Sequence, residues 1–306
     1  MHRSTALYHL VAGRFEKQLA GNTFSTKSIK GKGLSGIPRP EDISTMKRII
    51  GNNDLVSIRF LLLALEKSKS VGRILVNDEE DELEGYGTGF LLAPNVLMTN
   101  AHVLPDKKTA DHSQVEFNYE VTISGKPTKS VIFDLLPGEL FITSPEKKLD
   151  YTIVAVNKKS IDGKPLSAFG FMQITPSSPT FLPGKTVSII QHPNGERKQM
   201  ALRNNTVTHA EGDFITYTTD TLGGSSGSPL FDDAWMVGGL HHSSIPALDS
   251  KGRFLTIDGK LWKEEMGDDA VNWLANEGIQ MTSIVKDIMK RKLTAKQKKL
   301  LPDIFF

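Results

Sequence analysis

A mainly β protein with helical ends is the fold class this sequence predicts. Three observations carry that prediction. From Val71 onward, short apolar runs alternate with turns rich in Gly and Pro, the spacing of an all-β sandwich or a pair of barrels. Before Val71, and again after Ala270, apolar residues recur three and four positions apart, which is the helical period. No internal repeat or low-complexity tract interrupts either texture.

In chain order, Ser4 is placed to cap a helix whose apolar face is Leu7, Leu10, Val11, Phe15 and Leu19. The stretch STKSIKGKGLSGIPRP then reads as a linker. A second helical region follows, PEDISTMKRII with Pro40 and acids in its first turn, then DLVSIRFLLLALEKSK from an Asp54 cap. Residues 1–70 are therefore expected to form a helical extension, either a cap on the main domain or a regulatory or recruitment module that contacts a protein partner. The β-like runs are GRILVN, TGFLLA, NVLMTN, VEFNYEV, SVIFDLL, YTIVAV, TVSIIQHP, FITYTT and WMVGGLHH. The main domain is expected over 71–290. AVNWLANEGIQMTSIVKDIMKRK reads as helical, in two pieces broken at Gly278, and TAKQKKLLPDIFF as a short helix stopped by Pro302 in a basic tail, 291–306.

Composition narrows the chemistry. The chain has 306 residues, 39% hydrophobic and 24% charged, as a globular protein does, and a formal net charge of +2. With no cysteine, disulfides, thiolate catalysis and Cys-based zinc sites are excluded. No acidic cluster has the spacing of a calcium loop, and no glycine-rich strand–helix turn points to a nucleotide, so neither a metal nor a cofactor is expected. Seven basic residues lie between Lys286 and Lys299 without aromatic interleaving, so they read as a solvated helix face and no nucleic acid is expected. The apolar run near Phe60–Leu65 is far too short to span a bilayer, and the N-terminus lacks a secretory signal; the expectation is a cytoplasmic protein with no membrane contact.

One turn concentrates the chemistry. In TLGGSSGSPLF, three serines and three glycines fall within Gly223–Pro229. A serine hydroxyl is a poor nucleophile unless a base lies within hydrogen-bond reach and a third group orients that base. Glycines beside the serine permit the tight turn that aims backbone N–H groups inward. Ser226 sits at the centre of such a turn. Of the eight histidines, His102 stands out, on a turn (NAHV) that follows a β-hairpin. Asp150 heads the apolar strand LDYTIVAV, where an unpaired carboxylate would be costly. The order His102, Asp150, Ser226 is one of the known chain orders of a serine-protease triad.

TNAHV, LDYTIVAV and GGSSGSPLF resemble the three active-site blocks of trypsin-like, chymotrypsin-fold serine peptidases, and are closest to the bacterial branch without disulfides that includes the glutamyl endopeptidases. The resemblance runs from about Val71 to about Pro246. VGRI, YGTGFLL, QHPNGERKQ, LHHSS and NWLANEGI are similar to a group of bacterial trypsin-like proteins with an N-terminal helical extension. The resemblance implies two six-stranded antiparallel β-barrels with a cleft between them, and a serine endopeptidase acting on protein or peptide substrates. It implies an oxyanion hole from the backbone N–H groups of Gly224 and Ser226. In zymogens of this family an Asp precedes the nucleophile; here the residue is Ser225, so the usual proteolytic switch has no carboxylate to act on.

The resemblance also maps a specificity pocket onto Asp220, Thr221 and His241. Thr221 and His241 together imply cleavage after Glu, and less well after Asp. Asp220 occupies the place of the acid that selects Arg and Lys in trypsin, so a basic preference stands as the alternative; if Asp220 instead lay behind His241, it would help keep that imidazole charged. His242 is expected on the strand face opposite His241. A binding module without catalysis is the competing function class.

Overall fold

The computed structural model describes His9, Ala12–Arg14 and residues 56–202 and 205–301. His9 and Ala12–Arg14 are helical, as expected for the first helix; the rest of that helix, the 25–40 linker, the Asp54 cap and Pro302 lie outside the described residues.

Each of the nine β-like runs contains a strand: β1 (Val71–Asn77), β2 (Leu83–Ala93), β3 (Val96–Thr99), β4 (Gln114–Phe117), β5 (Val131–Asp134), β7 (Tyr151–Ala155), β8 (Ser188–Gln191), β11 (Phe214–Tyr217) and β13 (Val237–Pro246). Five more strands join them: β6 (Phe141–Ser144), β9 (Gln199–Ala201), β10 (Val207–Glu211), β12 (Pro229–Phe231) and β14 (Trp273–Gln280). They form two antiparallel sheets in the orders β5-β4-β1-β2-β3-β7-β6 and β10-β11-β14-β13-β12-β8-β9. Among the described residues each sheet has seven strands, against the expected six. Both sheets curl back on themselves. In the first, a bridge between Leu135 and Val156 ties the end of β5 to the chain leaving β7; in the second, a bridge between Thr186 and Thr206 ties the approach to β8 to the approach to β10.

Apolar faces turn inward in each sheet. Ile74, Leu91, Leu97, Val115 and Phe133 fill the first, and Val187, Ile189, Ile215 and Leu230 the second. A third cluster draws on both sheets, with Phe90, Tyr151, Phe231, Trp235, Leu240 and Ile279. Helix α1 (Arg59–Ser68) buries Ala64 in this cluster and sets Phe60 against Trp235 at 5.0 Å between ring centroids. So residues 59–68, at the end of the expected extension, pack into the same core as the sheets. The short helix α2 (Lys107–His112) is capped by Asp106, whose side chain accepts the Thr109 N–H at 2.9 Å.

One expectation is corrected. The first half of the region after Ala270 is not helical: Trp273–Gln280 is strand β14, paired between β11 and β13. Its Gly278 permits that close packing, since a Cβ there would stand 2.6 Å from Leu230 Cδ1. The helix α3 (Met281–Met289) begins only after it and buries Ile284, Val285 and Ile288. A short α4 (Ala295–Lys298) follows a Thr294 capping box, and Leu301 returns to the central core. No helix among the described residues is long and apolar enough to cross a membrane.

Candidate active site

His102 is delivered by the turn that ends β3. The Asn100 carbonyl accepts the N–H groups of Val103 and Leu104, and the Asn100 side-chain amide donates to the Asp150 carbonyl at 2.8 Å. Both oxygens of Asp150 then hold the histidine. Oδ1 accepts the His102 backbone N–H at 2.9 Å, and Oδ2 accepts Nδ1–H at 2.6 Å. That bond fixes the tautomer, leaving Nε2 with a lone pair. Nε2 is buried and has no hydrogen-bond partner among the described residues.

Asp150 is fully buried and sits at φ 37°, in the left-handed region that an Asp tolerates but that costs free energy. Burial alone would raise its pKa; the two histidines that donate to it outweigh burial and hold the carboxyl well below the usual carboxylate range. It stays ionised at any working pH.

Ser226 lies on a turn that only glycine can complete at two points. Gly224 has φ 85° and Gly227 φ 88°, and a Cβ on Gly227 would fall 2.1 Å from the Thr88 carbonyl oxygen and 2.3 Å from Thr99 Oγ1. Thr88 clamps the turn. Its hydroxyl donates to the Gly224 carbonyl at 2.8 Å while accepting the His192 N–H at 3.0 Å, and its own N–H donates to the Ser226 carbonyl at 2.9 Å. The Asn194 N–H donates to the Gly223 carbonyl, which fixes the plane of the peptide that carries the Gly224 N–H. Ser225 is buried, and its hydroxyl accepts the Leu222 N–H at 3.2 Å, closing the turn internally.

His102, Gly224 and Ser226 line one cleft of about 1040 Å³, together with Thr221 and Ser244. Its far wall comes from the segment before β14 and carries Trp262, Glu264, Asp268 and Asp269. Of the pocket residues expected from sequence, Thr221 lies on this cleft. Asp220 does not; it is exposed and lines an adjoining cavity of about 840 Å³ that shares Thr221, Leu222 and Ser244 with the cleft. His241 is buried off the cleft wall, with Nδ1 bonded to the Tyr217 hydroxyl at 2.7 Å. Behind Thr221 sits Asn276. Its amide donates to the Thr219 carbonyl at 2.6 Å, and its Oδ1 accepts the hydroxyls of Thr221 (2.7 Å) and Ser244 (2.8 Å).

Sequence reasoning does not find His242, Asn276, Glu277 or the Thr88 clamp. His242 Nδ1 reaches the same Asp150 Oδ2 at 2.7 Å. His102, Asp150 and His242 also form the one cluster with metal-ligand spacing among the described residues. At 2.6 and 2.7 Å the two ring N–H groups donate directly to the carboxylate, so the lone pairs that would ligate an ion are absent from the facing atoms. The cluster is a hydrogen-bonded core.

The trypsin-like peptidase domain matches residues 87–240, which contain all three of these catalytic candidates. The chain belongs to this family. Among curated proteins, this peptidase-family chain is 35% identical over 265 residues to uncharacterized protein y4fB of Sinorhizobium fredii, covering 82% of this chain and 40% of that one. The chain thus spans well under half the length of that relative. Among solved structures, it is similar to the active form of the Rv3671c protease of M. tuberculosis (17% identity, TM-score 0.47, 76% of this chain and 87% of that one) and to a Glu endopeptidase in complex with MPD (19%, 0.44, 72% and 88%).

Proposed function

We propose that the protein is a serine endopeptidase with His102 as base, Asp150 as its orienting group and Ser226 as nucleophile. One observation carries the reading: the buried Asp150 holds His102 at 2.6 Å in the tautomer that presents Nε2, and His102 and Ser226 line one cleft. Nε2 takes the Ser226 hydroxyl proton as Oγ attacks the scissile carbonyl. The imidazolium that forms is stabilised by Asp150, which stays ionised. The Gly224 and Ser226 N–H groups receive the oxyanion. Nε2 then returns the proton to the leaving amine, and water repeats the sequence on the acyl-enzyme. In apo enzymes the serine–histidine contact is commonly loose, tightening on substrate binding. With Ser225 closing the turn internally, no processed N-terminus is needed to build the hole. Residues 1–70 then remain the candidate for control and for a protein partner.

The substrate side chain is read from protons. Thr221 and Ser244 direct their hydroxyl protons to Asn276, whose orientation the Thr219 carbonyl dictates, so both oxygens face the cleft as acceptors. A substrate carboxylate needs donors there, and Asp220 and three more carboxylates stand nearby. His241, the residue that supports cleavage after Glu, is buried, bonded to the Tyr217 hydroxyl and absent from the cleft lining. This balance favours a donor-bearing side chain, Lys or Arg, over Glu. The test is fluorophosphonate labelling followed by peptide profiling. Labelling of the wild type but not of Ser226→Ala supports the peptidase; no labelling of either supports a binding module. Glu before the scissile bond would restore the His241 reading.

A further inference from the structure

The Gly224 N–H, assigned above to the oxyanion, is held from behind, and the hold can be followed to a side chain outside the triad. Asn194 and Gly195 form the centre of a tight turn in which the Glu196 N–H donates to the Pro193 carbonyl at 2.8 Å. Both have positive φ, 52° and 68°, the form that an Asn-Gly pair adopts most readily. From this turn the Asn194 N–H reaches the Gly223 carbonyl, which shares a peptide plane with the Gly224 N–H. The two turns touch: a Cβ on Gly224 would fall 2.9 Å from the Gly195 nitrogen.

Arg73 grips the far side of the Asn194–Gly195 turn. It lies on β1, in register with Thr88 on β2 and with Glu116 on β4. Its Nε and Nη2 donate to Glu116 Oε2, and its guanidinium lies 3.7 Å over the Tyr119 ring and 4.8 Å from that of Tyr86. Its Nη1 donates to the Gly195 carbonyl. Tyr86 lies so close against Gly195 that a Cβ there would fall 2.2 Å from Tyr86 Cδ2.

We propose that Arg73 is a positioning residue for the oxyanion hole: by holding the Gly195 carbonyl it places the Asn194 N–H that orients the Gly223–Gly224 peptide. The proposal rests on the triad reading above, with Gly224 as an oxyanion donor.

The argument is one of rigidity. A guanidinium is a planar fork of donors, and one fixed by a carboxylate and by aromatic rings has little freedom left. It ties the Gly195 carbonyl to the first sheet, as the Thr88 hydroxyl ties the Gly224 carbonyl. Because Arg73 and Thr88 are register partners, one point of the β1–β2 ladder anchors both turns. Without Nη1 the Gly195 carbonyl loses its tie to the sheet, and the turn shifts together with the peptide it orients. A catalytic donor has to sit within about 0.5 Å of its productive place, so a small displacement weakens it. Arg73 itself is not part of the cleft lining, so its influence on the reaction passes through the turn.

The experiment compares kcat/KM of the full chain on a small ester and on the matching thionoester, in which sulfur replaces the carbonyl oxygen. The hole stabilises charge on oxygen, and sulfur is larger and a poorer hydrogen-bond acceptor, so the ester-to-thionoester ratio reads the hole rather than the integrity of the fold. Removing Arg73 alone would leave the buried Glu116 without its partner, so the two are changed together. Arg73→Met in a Glu116→Gln background should lower kcat/KM on the ester by about 10–100-fold, less than a donor lost outright, and the ratio by a similar factor. Glu116→Gln alone, in which Arg73 still reaches Gly195, should keep the wild-type ratio. So should Arg197→Met, which removes a cation 4.6 Å from the same Tyr119 ring, bonded to the Glu120 carbonyl instead. An unchanged ratio in the double variant, or a similar fall in Arg197→Met, overturns the proposal. Should the double variant fail to fold, Arg73→Gln is read in the same way, since its shorter amide serves Glu116 and stops short of Gly195; a wild-type ratio there overturns the proposal too. The triad reading fails separately, through a Ser226→Ala protein that hydrolyses the ester as the wild type does.

Discussion

Replacing Asp150 by Asn separates stability from catalysis in a way the geometry makes specific. The carboxylate accepts three hydrogen bonds: Oδ1 takes the His102 backbone N–H, and Oδ2 takes Nδ1–H from both His102 and His242. An asparagine has two orientations. With its amide nitrogen at the Oδ1 position, a donor faces the His102 N–H, and that buried clash of donors costs about 1–3 kcal/mol. With the nitrogen at the Oδ2 position, the amide has two hydrogens for two imidazole nitrogens, and its oxygen still accepts the backbone N–H. Every group is satisfied provided both histidines move their proton to Nε2, and for His242 that move also turns an N–H toward Glu277. The second orientation wins. Asp150→Asn should therefore fold, with a thermal midpoint near that of the wild type. Catalysis should fall by about 10⁴, because His102 then presents a proton where it needs a lone pair. The assay is kcat on a small ester beside a thermal melt, with imidazole NMR to read the tautomer. Turnover within tenfold of wild type, or an Nδ1-protonated His102 in the variant, refutes the reasoning.

Three further perturbations follow from the same geometry. Thr88→Val keeps the shape but strips partners from the His192 N–H and the Gly224 carbonyl; a loss of about 2–5 kcal/mol and a fall in turnover are expected in denaturant titration and ester hydrolysis. Gly227→Ala adds roughly 1–2 kcal/mol of left-handed strain to an overlap with Thr88 and Thr99 that two sheet strands must absorb, so denaturation should show no folded protein at midpoints typical of the wild type. His192 is buried, and burial lowers its pKa from 6.5 to about 3, while its ring Nδ1 is bonded to the Glu196 carbonyl. Its contribution to stability is complete above pH 6.5 and is lost as pH falls toward 3, so melts of His192→Asn should be flatter than wild type over that interval; parallel curves would contradict this.

What could be read from the sequence depended on how local the cause was. The nine β-like runs reveal their strands because apolar residues and turn signals lie within a few positions of each other. Strand β14 is misread because its inward residues are polar for reasons far away. Asn276 serves the Thr221 and Ser244 hydroxyls, Gln280 pairs with both backbone groups of Phe181, and Glu277 meets Arg14. With those positions polar, the remaining apolar residues mimic a helical period. The candidates His102, Asp150 and Ser226 can be singled out from sequence because each stands in a distinctive local context: a turn after a hairpin, a carboxylate heading an apolar strand, a serine between two glycines that the turn requires. His242, Glu277 and Arg14 come from segments that meet only in the folded chain. The argument that singled out Asp150, an acid with no cheap way to be buried alone, applies with equal force to Glu277 in a strand between Ala275 and Ile279. It says that a cation must come, but only the fold says that the cation is Arg14 and that the imidazole of His242 lies between Glu277 and Asp150.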